Sequence, residues 1–338
     1  MAIRPTLGHK LLLSVVATLA ALLVAEVVVR LSGMAPEVAF IEKGRFRLSG
    51  NPRIGYEPVP GLDYSGNELS FFDYRGRSNS LGYRDSDHLL HKSPGTYRIV
   101  VLGDSIAAGL KVLDNAQIFP AVLERDLRAR GLPVEVINFG VSGYNTQQEV
   151  ETLKEKGLQF GPDLVLLAYC LNDTDRPGGG LLEILLKEDV RRRVLNPARV
   201  NRYLAKSAAY RFLRYRALAT GDENGPGADL PADTVEPSFE DLSRLARQGG
   251  FEVLVALFPT FENLEAYANT GHHEVVRGLS AAEGFHYLDL LPAFRSCAAS
   301  STEPVGFDRF HPTPYGHRCA ATATADFIVA SIVSKGRG

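Results

Sequence analysis

The side chains best suited to chemistry lie in four short blocks that are widely separated along the 338-residue chain. They are Gly103-Asp104-Ser105, residues 138–143 (NFGVSG), Asn172-Asp173 and residues 308–311 (DRFH). The first three each follow an apolar run, and the fourth precedes the last helix that the sequence predicts. Taken singly, each block is compatible with a helix cap or a turn. Taken together, they offer a hydroxyl, an imidazole, carboxylates and an amide.

These side chains have the types that nucleophilic catalysis requires. A serine hydroxyl needs a base within hydrogen-bond reach, and that base needs an acceptor that orients it. His311 can take the proton of Ser105, and Asp308, three residues before it, can accept from the other ring nitrogen. The sequence therefore predicts Ser105, His311 and Asp308 as a nucleophile, a base and its orienting acid.

The same blocks supply donors for the oxyanion that forms when a serine attacks an acyl group. Gly143 precedes a helix predicted to begin at Thr146, which puts its N–H at the positive end of that helix. Glycine also lets a substrate approach the backbone closely. Asn172 adds an amide donor, and the N–H of Ser105 adds a third. We therefore predict Ser105, Gly143 and Asn172 as the oxyanion hole.

The elements that position these blocks alternate between strand and helix. Five apolar runs predict buried strands: residues 99–102, 134–139, 163–169, 251–258 and 285–290. Helical spacing predicts helices over residues 118–130, over 146–156 from a capping box at Thr146 and Glu149, after a cap at Ser238, and over 315–333. This order is typical of a doubly wound parallel sheet in a three-layer, flavodoxin-like α/β/α fold. The carboxyl ends of parallel strands meet at one edge, where ligands bind.

Composition and spacing exclude several other functions. The formal net charge of −2 gives no indication of nucleic acid as a partner. We predict no cofactor and no metal, because the spacing of Asp308, His311 and His317 fits no zinc pattern. His317 is interpreted as structural, and His272-His273 as a surface pair on a helix. Ala107 occupies the position of the last glycine in the Gly-x-Ser-x-Gly elbow, which excludes the α/β-hydrolase fold.

The chain has three cysteines, too few for a disulfide framework. The pattern favours three small buried side chains. If a bridge forms, Cys297–Cys319 is the pair better suited to it, because Cys170 ends an apolar strand.

The N-terminal region predicts a membrane anchor. Residues 11–29 are apolar except for Ser14, Thr18 and Glu26, and as a helix they span roughly the thickness of a bilayer core. Glu26 lies near the end, where it can reach Arg30. A cleaved signal peptide is the alternative, although its apolar core is usually shorter. We divide the chain into an anchor (1–33), a membrane-proximal extension (34–96) and a catalytic domain (97–335).

Two further regions receive no function from the sequence alone. The extension is rich in Gly, Pro and Tyr and predicts hairpins and turns. An insertion over about residues 175–237 interrupts the alternation, and its stretch 181–218 is predicted to be helical and basic. This stretch is interpreted as a cap over the site, a surface for anionic lipid headgroups or polysaccharide, or a solvated helical face.

The four blocks resemble those of the SGNH (GDSL-type) hydrolase superfamily in order and placement, over about residues 98–333. The resemblance implies Ser105 as nucleophile, Asp308 and His311 as its partners, and Ser105, Gly143 and Asn172 as the oxyanion hole. One departure is Cys170, which replaces the usual glycine of the third block. The segments VLGDSIAAG, FPAVLE and NSLGYRD, with the apolar N-terminus, are similar to membrane-anchored bacterial members related to acetyltransferase-like proteins of exopolysaccharide assembly.

We therefore expect a single-pass serine esterase that cleaves O-acetyl or other short-chain esters. The resemblance implies a bacterial inner membrane and a periplasmic catalytic domain, with an acylated glycan or lipid as substrate. An O-acyltransferase that acts on a glycan is the first alternative, because it uses the same residues. An inactive carbohydrate-binding module is the second.

Overall fold

The computed structural model describes residues 6–32, 45–63, 76–171, 207–210, 212–213 and 234–333. The chain divides into two compact units, Met1–Ile41 with Glu183–Ala228, and Glu42–Leu182 with Asp229–Gly338. Asn172 and most of the predicted insertion lie outside the described residues.

The first unit contains helix α1 (Leu7–Ser32), whose apolar side chains are exposed. Among the described residues it is the one helix long and apolar enough to cross a membrane, a property that signal sequences share. As expected, the Arg30 Nε donates to the Glu26 carboxylate at 2.6 Å. Glu26 also accepts from the Ser207 hydroxyl at 2.6 Å and from the Ala208 N–H at 2.9 Å. These three donors compensate a carboxylate in an apolar helix.

The second unit is built on a five-stranded sheet. Its strands are β3 (Tyr97–Gly103), β4 (Val134–Asn138), β5 (Leu164–Tyr169), β6 (Glu252–Leu257) and β7 (His286–Asp289). They lie in the order β4-β3-β5-β6-β7, with every neighbouring pair parallel. The predicted parallel, doubly wound fold is confirmed. The chain leaves β3 for β4 on one side and then crosses to β5 on the other. This reversal makes the crevice beyond the end of β3 the expected ligand position.

The helices fall into two groups that pack among themselves. One group is α2 (Phe119–Ala129), α6 (Leu291–Ser300) and α7 (Pro314–Ile328), and the other is α3 (Thr146–Thr152), α4 (Val235–Gly249) and α5 (Thr270–Ala282). Ile99, Val100, Val101 and Leu102 have no exposed surface, as expected for a strand covered on both faces. Helix α6 was not predicted from the sequence.

Two predicted helix caps are wrong. Helix α3 is capped by Asn145, which accepts from the Gln148 N–H at 3.1 Å while Gln148 accepts from the Asn145 N–H at 3.2 Å. The capping box therefore lies one residue before Thr146. Helix α4 begins at Val235, and Ser238 lies inside it with its hydroxyl donated to the Thr234 carbonyl at 2.5 Å. A serine can bond either way, so sequence spacing alone does not fix its position.

Cys297 of α6 and Cys319 of α7 form a disulfide, so the preferred prediction of three unpaired cysteines is wrong, whereas the pair named as better suited to a bridge is correct. Cys170 is buried and takes no part in the disulfide. The bridge closes a segment with a sequence separation of 22 that contains Asp308 and His311. The pairing depends on two helices whose contact the sequence did not predict.

Replacing both bridged cysteines with alanine is expected to lower the free energy of unfolding by about 3 kcal/mol, since the open loop gains entropy in the unfolded chain. Denaturant unfolding of the Cys297→Ala/Cys319→Ala protein measures the change. Cys170→Ala in the parent is the control for loss of a buried thiol. Equal stability of the double variant and the parent under oxidising conditions would contradict the bridge.

The described part of the extension packs against the loop after β4. Strands β1 (Phe46–Leu48) and β2 (Tyr56–Pro58) form an antiparallel pair. The Tyr56 hydroxyl donates to the Ser142 carbonyl at 2.8 Å, and the Tyr144 hydroxyl donates to the Tyr56 carbonyl at 2.5 Å. The pair therefore supports the loop that carries Gly143.

Candidate active site

Ser105 lies on a tight turn directly after β3. Its neighbour Asp104 fixes the turn by accepting the Ile106 N–H at 2.8 Å on its carboxylate and the Ala108 N–H at 3.0 Å on its carbonyl. The Ser105 carbonyl accepts the Leu110 N–H at 2.9 Å. The backbone of the turn is thus bonded on both sides of Ser105, which orients the hydroxyl before any substrate binds.

The structure brings Ser105, His311 and Asp308 together across a separation of about 200 residues. The Ser105 Oγ lies 3.0 Å from the His311 Nε2, and the His311 Nδ1 lies 2.8 and 2.9 Å from the two Asp308 oxygens. When Asp308 is ionised, its oxygens can accept hydrogen bonds but cannot donate one, so the ring proton is on Nδ1. The lone pair of Nε2 then faces the hydroxyl, which is the arrangement that a general base needs.

Asp308 is held by its own loop and by a lysine. One of its oxygens accepts the N–H groups of Phe310 and His311, both at 2.9 Å. The other forms an ion pair with the Lys111 ammonium. Partial burial acts to raise the pKa of Asp308, but the bonds from Lys111, His311 and Phe310 outweigh it and lower that pKa well below its usual range. Asp308 is therefore ionised at neutral pH.

The loop after β4 comes close to the turn that carries Ser105. A side chain on Gly140 would lie 2.5 Å from the Ala108 nitrogen, so only glycine allows this approach. Asn138 joins the two loops by donating its amide to the Ala107 carbonyl at 3.0 Å and accepting the Gly140 N–H at 2.9 Å. Gly143 then adopts φ = 80°, a left-handed conformation that favours glycine. Asn172, the third predicted oxyanion donor, lies outside the described residues.

Two residues at this edge were missed at the sequence level. Arg84, from the quoted NSLGYRD segment, is 8% exposed and donates to the carbonyls of Gly109 and Val112, both at 2.5 Å. It fixes the loop that follows Ser105. Lys111, which lies on this loop, was missed because a contact with Asp308 has no local sequence signal.

Three other histidines that the sequence analysis considered, His272, His273 and His317, have contacts outside the candidate site. Burial, the Arg84 guanidinium and His311 lower the pKa of His317 to about 3, and its neutral ring accepts the Phe119 N–H at 3.0 Å. The interpretation of His272-His273 as a surface pair on a helix is correct for the helix, α5, but wrong for the exposure of His273. His273 is buried and bonds Asp289 at 2.9 Å, and the His272 Nε2 lies 3.1 Å from the Tyr169 hydroxyl. Within the described ranges, no group of three or more His, Cys, Asp or Glu is placed to hold a metal.

A cleft runs beside the turn that carries Ser105. One wall comes from the extension and the other from the loops after β3 and β4. Its lining includes Arg45, Phe46, Pro58, Lys111, Val141 and Ser142.

A family model described as the GDSL-like Lipase/Acylhydrolase family matches residues 101–319, which contain Ser105, Asp308 and His311. The chain belongs to this GDSL-like hydrolase family. No curated protein sequence matches it.

Solved structures similar to this GDSL-like chain include three esterases or acylhydrolases. The acetyl xylan esterase AlAXEase is 16% identical, with a TM-score of 0.43 over 68% of this chain and 99% of the other. A variant of Axe2, an acetyl-xylooligosaccharide esterase from Geobacillus Stearmophilus, is 17% identical, with a TM-score of 0.43 over 70% and 96%. A lipase/acylhydrolase from Enterococcus faecalis is 18% identical, with a TM-score of 0.41 over 71% and 96%. Likenesses this distant carry no argument about the substrate.

Proposed function

We propose that this GDSL-like hydrolase is a serine esterase that cleaves short-chain acyl esters, such as O-acetyl groups, through an acyl-enzyme. The observation that supports this most directly is the hydrogen-bonded series from Ser105 through His311 to Asp308. An ionised acid, an imidazole and a serine hydroxyl within hydrogen-bond reach of each other are the components that acyl transfer needs.

In the proposed mechanism, the Ser105 Oγ attacks the acyl carbon and its proton passes to the His311 Nε2. Asp308 stabilises the imidazolium through Nδ1. The imidazolium then protonates the departing alcohol oxygen, and the acyl group remains on Ser105. Water attacks the acyl-enzyme while His311 accepts its proton, and that proton returns to Ser105 when the carboxylic acid leaves. The N–H groups of Ser105 and Gly143 and the amide of Asn172 are proposed to bind the oxyanion in both halves.

Asn172→Ala is expected to lower kcat by about 10² to 10³-fold with little change in KM, because an oxyanion donor acts mainly in the transition state. Steady-state kinetics on a small acyl ester measures both constants. Asn145→Ala, which removes an amide from the cap of α3 instead, is the control for a general loss of an asparagine. A change in KM alone would make Asn172 a ground-state binder.

Transfer to a glycan hydroxyl is the second candidate, and the cleft beside the turn that carries Ser105 favours it. An acceptor held between the extension and the loop after β4 would exclude water from the acyl-enzyme. Hydrolysis remains the first choice, because the chemistry of Ser105, His311 and Asp308 requires no further component.

Product partition distinguishes the two reactions. The protein is given an activated acetyl ester together with candidate oligosaccharides, and free acetate and acetylated sugar are followed in parallel. We expect acetate to dominate. Faster accumulation of acetylated sugar would establish the transferase, and no turnover of any ester by folded protein would indicate a binding module.

We also propose that α1 anchors the protein and that the catalytic unit lies outside the cytoplasm, in the periplasm of a bacterial cell. The Cys297–Cys319 disulfide supports this location, since such bridges persist in oxidising compartments. Carbonate-washed membranes should retain the full-length chain, and only Cys170 should react with a maleimide after denaturation without reductant. A mature protein that begins near residue 36 would instead show a cleaved signal peptide.

A further inference from the structure

Lys111 has an unusual backbone conformation. Across the part of the chain that the structure describes, it is the one non-glycine residue with positive φ, at 67°. Residues with a Cβ disfavour this region, and such conformations persist where the surrounding structure imposes them. The Arg84 guanidinium bonds the carbonyls of Gly109 and Val112, which flank Lys111. A lysine held in a glycine-like position suggests that its side chain contributes something that glycine cannot.

The side chain of Lys111 reaches the acid of the proposed triad. Its ammonium pairs with Asp308 Oδ2, while Asp308 Oδ1 takes the N–H groups of the acid's own loop. Lys111 belongs to the loop that follows Ser105, and Asp308 belongs to the loop before α7, 197 residues later. The ion pair therefore joins the loop of the nucleophile to the loop of the acid and base.

We propose that Lys111 is a positioning residue that holds the Asp308 carboxylate against His311 and offsets its negative charge, so that the site works at lower pH. This inference rests on the proposed function, because it assigns Lys111 a role in the same site. Lys111 contacts neither of the reacting groups and acts through Asp308.

The sign of the pH effect follows from the charges around His311. Among the described residues, Asp308 bonds His311, Lys111 pairs with Asp308, and Asp104 contacts Ser105. His317 is close enough to interact electrostatically with both His311 and Arg84, and the neighbouring Arg309 is paired with Glu262. His311 must be neutral to accept the Ser105 proton. Without the Lys111 charge, Asp308 favours the protonated ring more strongly. The acid limb of the pH–rate profile then moves to higher pH.

The test follows Ser105 directly and needs no knowledge of the natural substrate. A fluorophosphonate probe phosphonylates an activated serine: Oγ bonds to phosphorus, fluoride leaves, and His311 accepts the proton. We expect the acid limb of the labelling rate of Lys111→Met to lie about 0.5 pH units above that of the parent, since the pair is partly exposed. Lys111→Arg should restore the parent profile, and added salt should reduce the difference.

Two further variants separate this effect from folding. Lys111→Gly should shift the profile as Lys111→Met does. It should melt at a higher temperature than Lys111→Met, since glycine adopts the backbone conformation without strain. Lys92→Met removes a comparable ion pair, with Asp163 at 2.6 Å, at the amino end of β5 and so at the opposite end of the strands from Ser105. This substitution should leave the profile unchanged.

An absence of labelling at Ser105 in the folded parent would contradict both the proposed function and the role of Lys111. Labelling of the parent with the same acid limb in Lys111→Met would overturn the role of Lys111 alone, whether or not the rate had fallen.

Discussion

Ser105→Ala is expected to reduce turnover of small acyl esters by about 10⁴- to 10⁶-fold while the protein still folds. The substitution removes only the hydroxyl group, whose contact with His311 at 3.0 Å is made between two side chains. The hydrogen bonds that hold the turn are accepted by the carboxylate and carbonyl of Asp104 and by the Ser105 carbonyl, so they do not depend on the hydroxyl. Steady-state kinetics and thermal unfolding on the same preparation measure the two effects.

Ser280→Ala is the matched control for this prediction. Ser280 is buried in α5, and its hydroxyl donates to the Val276 carbonyl at 2.8 Å. Its replacement should leave kcat within a few-fold of the parent. Activity like the parent's in Ser105→Ala would reject the nucleophile, and with it the proposed acyl-enzyme.

Asp308→Asn is expected to lower kcat by about 10⁴-fold, the size seen when the acid of a serine triad is made neutral. Asp308 accepts a hydrogen bond from the His311 Nδ1–H, which leaves the lone pair of Nε2 facing Ser105. A carboxamide can present its NH₂ group instead, which favours the tautomer with its proton on Nε2. That ring cannot take the serine proton. The substitution also removes the charge that pairs with Lys111.

The chain provides a matched control in a second carboxylate–imidazole pair. Asp289 bonds the His273 Nδ1 at 2.9 Å, and the His273 Nε2 lies 2.9 Å from the Tyr267 hydroxyl instead of a serine. Asp289→Asn should change stability but leave kcat within a few-fold. If Asp289→Asn abolished activity and Asp308→Asn did not, the assignment of the acid would be wrong.

The sequence by itself determined the sheet and the candidate residues of the site. Apolar runs such as residues 99–102 and 163–169 are strong signals, because a strand covered on both faces must be apolar throughout. The parallel order then implies that Ser105, at the end of β3, lies where ligands bind. Asp308 and His311 are three residues apart, so their pairing needs only one turn of loop. The family comparison adds membership, but not the substrate.

Only the tertiary structure decided the features that depend on contacts between distant segments. Asn145 and not Thr146 caps α3, because hydrogen-bond geometry, not residue type, decides which of two adjacent polar residues is the cap. The Cys297–Cys319 bridge required α6 and α7 to be neighbours. Arg84 holds the loop after Ser105, and Lys111 forms an ion pair with Asp308. Both are side-chain contacts between distant segments. Periodicity reports the local surroundings of a residue, whereas these contacts are fixed by packing of the whole unit.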